Sequence, residues 1–159
     1  MNTTKKILIA IDYSPNANKM AVIGYALAKA MHAEITLLHV IENEAYYTSF
    51  ITSPITGIGD FDSATFYQYM NSKSIHDAAD YYLQNIKKHL KDNDINIKIV
   101  QGEIATVILS SAEDLKAEII IMGSHSQNWV EKMLMGSNTE HVLHKTKIPL
   151  LIIPTKEAN

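Results

Sequence analysis

Five short runs of apolar residues recur along the chain, and segments with a helical period separate them. The runs cover residues 6–11, 34–41, 95–101, 118–122 and 148–153. They are rich in isoleucine, valine and leucine, and most lack the strict polar–apolar alternation of a half-exposed strand. This pattern is typical of strands that are buried on both faces. Strands that alternate with helices predict βαβ units and a mainly parallel sheet, which is an α/β fold.

Four segments carry the helical period, over residues 15–32, 64–91, 104–116 and from 137 to a point before 149. Ser14 followed by Pro15 predicts an N-cap and a first helical residue. Ser137 and Glu140 form the pattern of a capping box at the last helix. The side chains predicted to face the sheet are Met20, Ile23, Leu27 and Met31 in the first helix, Ile75, Ala79, Tyr82, Ile86 and Leu90 in the second, and Val107, Ile108 and Leu115 in the third.

Two segments show neither period. Residues 43–63 are polar and aromatic and include Pro54, Gly57 and Gly59, and residues 124–135 form the second segment. Loops of this length in a compact domain are usually functional or mobile. Since there is no repeat or linker, we predict a single domain over residues 1–159, with a frayed tail at 154–159.

Composition and charge exclude several classes of protein. The 159 residues carry a net charge of −3 and no cysteine. The chain therefore has no disulfide framework, thiolate zinc site or cysteine nucleophile, and it suits a reducing compartment. We interpret the basic cluster at residues 87–91 as a solvated helix end and expect no nucleic-acid partner. The apolar run near the N-terminus is too short for a signal peptide or a membrane span, so we expect a cytoplasmic protein without a membrane partner.

Polar chemistry lies where the strands end. In an open parallel sheet, ligands bind at the carboxyl ends of the strands, at the point where the strand order reverses. Asp12, Tyr13 and Ser14 follow the first run, and Gly123 and Ser124 follow the fourth. A glycine allows close approach of the backbone, and the free amides at the start of the last predicted helix favour an anion. Each feature alone is ordinary turn chemistry, and their convergence at two strand ends is what favours a ligand site.

The same residues resemble the signature of a known family. Residues 121–126, Ile-Met-Gly-Ser-His-Ser, and residues 135–143, which begin Met-Gly-Ser-Asn, resemble the motif of universal stress proteins. That motif is a glycine, two residues, a second glycine, nine residues, and then Gly-Ser or Gly-Thr. Residues 6–14, 37–40, 102–105 and 148–154 resemble further family segments in the same order, so the resemblance covers nearly the whole chain.

The resemblance implies a five-stranded parallel sheet in the order 3-2-1-4-5, with helices on both faces, as in the adenine nucleotide alpha hydrolase-like fold. It implies a homodimer formed through the last strand, from Ile148 to Ile153, and an adenine nucleotide such as ATP, with Mg²⁺ held through its phosphates. In the ATP-binding branch, the first-strand aspartate and second-strand valine bind adenosine, and the glycine loop and Gly-Ser bind phosphate. The nucleotide-binding residues implied are Ala10, Ile11, Asp12, Tyr13, Ser14, Val40, Met122, Gly123, Ser124, His125, Ser126, Lys132, Gly136, Ser137 and Asn138.

The chain departs from the family motif at its second glycine, which is Ser126. A Cβ atom there disfavours a left-handed backbone and crowds the phosphates. In the same loop Lys132 is offset by Glu131. Three hypotheses stay open: a nucleotide-binding stress-response or signalling module, which we favour, a nucleotide-free dimeric interaction protein, and a slow ATPase.

Enzymatic motifs and metal frames are absent from the sequence. It contains no dinucleotide fingerprint, Walker lysine loop or GxSxG elbow, so no catalytic residue is predicted. His39 lies inside an apolar run and is interpreted as a satisfied core histidine, whereas His125 would donate to a phosphate or cap its turn. His141 and His144 lie three residues apart without a further ligand, and no metal site is predicted.

Overall fold

The computed structural model describes residues 4–14, 16–42, 75–124 and 136–154. In chain order the elements are β1 (Lys6–Ala10), α1 (Ala17–Ala30), β2 (Glu34–Ile41), α2 (Ile75–Leu90), β3 (Asn96–Gln101), α3 (Ile104–Leu115), β4 (Ile119–Ser124), α4 (Ser137–Lys145) and β5 (Leu150–Pro154). The five predicted strands are confirmed, with ends that differ by at most two residues. Ser124, predicted to begin the loop at 124–135, belongs to β4, and Pro154, predicted to begin the tail, belongs to β5. The loop predicted at 43–63, the remainder of the loop at 124–135, the start of the second predicted helix and residues 155–159 lie outside the described residues.

The sheet is parallel, with the strand order β3-β2-β1-β4-β5. β1 is central: Ala10 lies opposite Leu38 of β2, and Ile9 lies opposite Ile121 of β4. From β1 the chain builds outward to β3 on one side and then returns to add β4 and β5 on the other. This reversal, which confirms the predicted order, opens a crevice at the carboxyl ends of β1 and β4.

Each face of the sheet has its own hydrophobic core. Ile7 and Ile9 point to the face covered by α1 and α2, and Leu8 points to the face covered by α3 and α4. Both Leu8 and Ile9 have no exposed surface. Successive side chains of a strand point to opposite faces, so a strand covered on both sides needs an apolar residue at every position. The prediction of helices on both faces is confirmed.

The sheet-facing side of α1 was predicted only in part. Met20 is buried, and Leu27 and Met31 pack against the core, but Ile23 is 40% exposed. Small residues fill the contact instead, namely Ala17, Ala21, Gly24 and Ala28. A Cβ atom on Gly24 would lie 3.0 Å from Cδ1 of Ile9, so the helix backbone lies too close to the sheet for a large side chain. In the other helices the predicted faces are confirmed: Tyr82 and Ile86 of α2 and Ile108 of α3 are buried.

Both predicted helix caps are wrong. The N-cap of α1 is Asn16, without a side-chain hydrogen bond, and the Ser14 carbonyl accepts from the amide of Ala17 at 3.0 Å. The N-cap of α4 is Gly136, which makes Ser137 the first helical residue rather than a cap. Pro15 lies outside the described residues. Neither serine hydroxyl therefore satisfies the first amides of its helix.

Within the described ranges, no helix combines the length and the apolar character that crossing a lipid bilayer requires.

The close approach of α1 to the sheet predicts the effect of a substitution. We expect Gly24→Val to lower the free energy of unfolding by about 1–3 kcal/mol, because the added atoms overpack the contact with Ile9. Ala26→Val is the matched control, since it introduces the same side chain at an exposed position of the same helix. Urea denaturation measures both variants, and equal midpoints would contradict the tight helix–sheet contact.

Candidate functional site

The candidate site lies where the chain leaves β1 beside the end of β4. The amide of Ile11 still donates to the carbonyl of Leu38 at 2.8 Å, which continues the β1–β2 ladder one residue past the strand. In this register Val40 lies level with Asp12, one strand away. Ala10 and Val40 are half-buried and pack against the core under α3 and α4. The structure therefore brings the predicted adenosine-binding residues of β1 and β2 together.

A turn stabilised by a side chain follows β1. The amide of Ser14 donates to Oδ1 of Asp12 at 3.0 Å, the arrangement of an Asx turn. Ser14 is only 8% exposed, and its hydroxyl has no hydrogen-bond partner in the part of the chain that the structure describes. A buried polar group without a partner is uncommon in native proteins and points to an unseen water or ligand. Asp12 itself is half-buried at the mouth of the crevice.

Two buried side chains hold the backbone of this turn. Nδ1 of His39 lies 2.7 Å from the carbonyl oxygen of Ile11, and because a carbonyl only accepts, Nδ1 carries the proton. The hydroxyl of Tyr82 donates to the carbonyl oxygen of Asp12 at 2.8 Å. The ring of Tyr13 packs between them, with its centroid 4.4 Å from that of His39 and 4.7 Å from that of Tyr82. The interpretation of His39 as a satisfied core histidine is confirmed.

Both donors are neutral groups at neutral pH. Burial lowers the pKa of His39, although the Ile11 carbonyl and the charge of Asp12 act in the opposite direction. Burial raises the pKa of Tyr82 well above its ordinary value, and the charge of Asp12 adds to this rise. The turn is thus held by neutral donors, and neither of them places a buried positive charge that would compete with a ligand for the carboxylate of Asp12.

The other half of the site is the start of α4. The backbone of Gly136 is extended, with φ −69° and ψ 157°, and within the described ranges no side chain caps the helix. The buried Thr139 donates from Oγ1 to the carbonyl oxygen of Gly123 at 3.2 Å, which ties the first turn of α4 to the end of β4. The first amides of a helix have no acceptor within the helix, and they attract an anion.

The start of α3 differs in this respect. Both carboxylate oxygens of Glu103 accept backbone amides, from Ala105 at 3.1 Å and from Thr106 at 2.8 Å. Hydrogen bonds from Thr106 are the main reason why the pKa of Glu103 is lowered. At α3 the protein supplies its own anion, whereas no side chain among the described residues does so at α4.

The predicted site residues of β1, β2, β4 and the start of α4 lie together at the carboxyl ends of the strands. His125, Ser126 and Lys132 lie outside the described residues. Sequence reasoning missed the contacts of Tyr82 and Thr139 with the site. The sequence did carry a signal for Tyr82, which lies in a stripe of alanine and isoleucine residues. A buried tyrosine hydroxyl needs a hydrogen-bond partner, so this position predicts a polar contact inside the core.

The two histidines of α4 lie beside carboxylates. His141 is 3.8 Å from Glu103, and His144 is 3.7 Å from Glu140 on the exposed side of α4. No group of three or more histidine, aspartate or glutamate side chains in the described ranges is arranged to hold a metal ion.

Comparisons with known proteins agree on one family. The model of the universal stress protein family matches residues 3–154. Universal stress protein MJ0577 of Methanocaldococcus jannaschii is 33% identical over 97% of each chain. Stress response protein NhaX of Bacillus subtilis is 28% identical, over 93% of this chain and 96% of NhaX.

Solved structures show the same fold. A structure of MJ0577, described as a structure-based assignment of its biochemical function, superimposes with a TM-score of 0.65 at 31% identity and covers 97% of this chain and 98% of that one. A universal stress protein in complex with cAMP superimposes with a TM-score of 0.61 at 16% identity, over 96% and 98% of the two chains. At 16% identity the likeness concerns the fold alone.

The buried imidazole predicts how stability depends on pH. The folded state keeps His39 neutral, whereas the unfolded chain binds a proton below about pH 6.5. We therefore expect the free energy of unfolding to fall as the pH drops through 6.5, with a slope of at most about 1.4 kcal/mol per pH unit from this group. Urea denaturation between about pH 7.5 and pH 5.5 measures the slope, which should be smaller in His39→Asn. His144→Asn, at a side chain that is 72% exposed, is the control and should keep the wild-type slope. Parallel slopes in all three proteins would contradict the assignment to His39.

Proposed function

Because the chain belongs to the universal stress protein family, we propose that it is an adenine-nucleotide-binding stress-response or signalling module. The observation that carries the proposal is the uncapped start of α4, tied to the end of β4 at the point where the strand order reverses. The absence of cysteine suits action in a reducing compartment, the cytoplasm.

The adenosine part would bind at the ends of β1 and β2. An ionised carboxylate offers about four lone-pair sites, so Asp12 can accept from a ribose hydroxyl or an adenine amino group while it also accepts from the Ser14 amide. Ala10 and Val40 supply apolar surface beside it. The buried Ser14 hydroxyl, which lacks a protein partner in the described ranges, is a further candidate for a nucleotide contact.

The phosphates would bind at the start of α4. Gly136 presents no side chain, and no described side chain caps the start of α4, where the amides of Ser137 and Asn138 lie. A phosphate there gains both amide hydrogen bonds and the favourable end of the helix dipole. The resemblance also places the glycine loop, at Gly123 and Ser124, against the phosphates. The further nucleotide-binding residues that it implies are Met122, His125, Ser126 and Lys132. It implies as well that Mg²⁺ would bind through the phosphates of the nucleotide.

A relative supports the nucleotide class. A universal stress protein of the same fold is known in complex with cAMP, which is an adenine nucleotide.

Three substitutions test the site. We expect Asp12→Asn to weaken nucleotide binding by about 10- to 100-fold, the effect of a lost charged acceptor, while its amide oxygen still closes the turn. Gly136→Val should abolish binding of the phosphates without unfolding the protein, because valine tolerates an extended backbone. Asp114→Asn is the matched control at a side chain that is 76% exposed, and it should bind as the wild type does.

The measurement is isothermal titration of ligand-free protein with ATP, ADP and AMP, with and without Mg²⁺, after any co-purified nucleotide has been identified by mass. The order of the three affinities shows how many phosphates the site holds. If no nucleotide co-purifies and none binds, the alternative of a nucleotide-free interaction protein replaces this proposal.

We further propose that two chains pair along β5. This strand lies at an edge of the sheet and consists of Leu-Leu-Ile-Ile-Pro, so its unpaired side presents an apolar edge that a second copy would cover. The opposite edge strand, β3, carries Lys98 at its centre, 4.0 Å from Asp114. A charged residue on an edge strand disfavours pairing with another chain, and β5 contains no charged residue.

Ile152→Lys should convert the dimer to a monomer. Ile152 is half-buried and is not among the residues that pack against either core, so a lysine there places charge on the edge at little cost to the fold. Sedimentation equilibrium measures the mass of both proteins. Val22→Lys is the matched control, since it adds the same charge at a side chain of α1 that is 42% exposed, and it should leave the dimer intact. A monomeric wild type would refute the pairing.

A further inference from the structure

We propose that His39 and Tyr82 are positioning residues that fix the turn carrying Asp12 in the shape that binds nucleotide. They hold two consecutive backbone carbonyls, those of Ile11 and Asp12, at 2.7 and 2.8 Å. The inference rests on the proposed function for its ligand, whereas the geometry of the turn stands by itself.

The chain needs such contacts because the sheet ends just before the turn. β1 ends at Ala10, and one further hydrogen bond, from the Ile11 amide to the Leu38 carbonyl, continues its ladder with β2. Beyond it, side chains from two other elements hold the backbone, His39 from β2 and Tyr82 from α2. These two elements are separated along the chain by residues 42–74, so the turn depends on the packing of α2 against β2.

The two polar groups are placed where an apolar residue would otherwise be expected. His39 is 2% exposed and Tyr82 has no exposed surface, and both lie among the side chains under α1 and α2. A buried donor is destabilising unless it is paired. Each donor here is paired with a carbonyl of the same turn. The ring of Tyr13 packs against both His39 and Tyr82, so the three side chains stabilise the turn together.

Asp12 is consequently held at two points. Its carbonyl accepts from Tyr82, and Oδ1 of its carboxylate accepts from the amide of Ser14. With both held, the carboxylate has one position relative to β4 and α4 before any ligand arrives. Loss of either contact lets the turn sample other shapes, and the apparent affinity falls by the fraction of time spent in the binding shape.

Tyr82→Phe tests the support, because it removes one hydroxyl and keeps the ring. We expect AMP to bind about fivefold more weakly, which corresponds to one net hydrogen bond. Tyr25→Phe is the matched control: the hydroxyl of Tyr25 donates to Asp92 at 3.0 Å, beyond the far end of α2, away from the site. It removes the same kind of hydrogen bond, and AMP affinity should equal that of the wild type.

A second pair of variants distinguishes the effect of the hydrogen-bond donor of His39 from the effect of its packing. Asn carries an amide nitrogen near the position of Nδ1, so His39→Asn should retain more of the AMP affinity than His39→Leu, which has no donor. Equal affinities in this pair, or wild-type affinity in Tyr82→Phe, would overturn the positioning role.

Amide hydrogen exchange in the ligand-free protein tests the positioning role without a binding measurement. The Ser14 amide, which donates to Asp12, should exchange faster in Tyr82→Phe and at the wild-type rate in Tyr25→Phe. If the wild type binds AMP but neither exchange nor affinity changes in Tyr82→Phe, the nucleotide proposal stands and the positioning role fails. If the wild type binds none of ATP, ADP and AMP, the nucleotide proposal fails, and faster exchange at Ser14 would still show that Tyr82 stabilises the turn.

Discussion

The burial of β1 on both faces is the constraint on which the remaining structure depends. Leu8 and Ile9 have no exposed surface, and each belongs to a different core. A strand with two apolar faces requires a layer of helices on each side, and right-handed crossovers can supply both layers only if the chain reverses direction across the sheet. The reversal occurs at β1 itself, so a strand that is buried on both faces is also one that ends in the crevice.

This arrangement ties the two halves of the candidate site to different cores. The turn after β1 is held by the Ile11–His39 and Asp12–Tyr82 contacts, on the side of the core under α1 and α2. The start of α4 is held on the side of the other core, through the hydrogen bond from Thr139 to the end of β4. The two halves of a ligand in the crevice would therefore bind to parts of the protein that different cores stabilise.

Much of the fold could be predicted from the sequence, because the apolar runs record burial directly. The family motif supplied the strand order, which periodicity alone leaves open. The side of α1 that faces the sheet was partly missed because a close helix contact selects for small residues: Gly24 is inside and Ile23 outside. The role of Ser137 was missed because its pattern fits a capping box, yet Gly136 takes the cap position. The contact of Tyr82 with Asp12 joins residues 70 positions apart, and only the packing of α2 over β2 brings them together.

The difference between the two edges of the sheet bears on how assembly stops. A β5–β5 contact uses the same surface on both chains and closes on itself as a pair. A β5–β3 contact would join unlike edges and leave a free edge at each end, which is the geometry of an open filament. Lys98 at the centre of β3 makes that second contact costly, since it would place its ammonium against the apolar edge of β5. If two chains pair along β5 as proposed, Lys98 on the opposite edge strand would limit assembly to a pair.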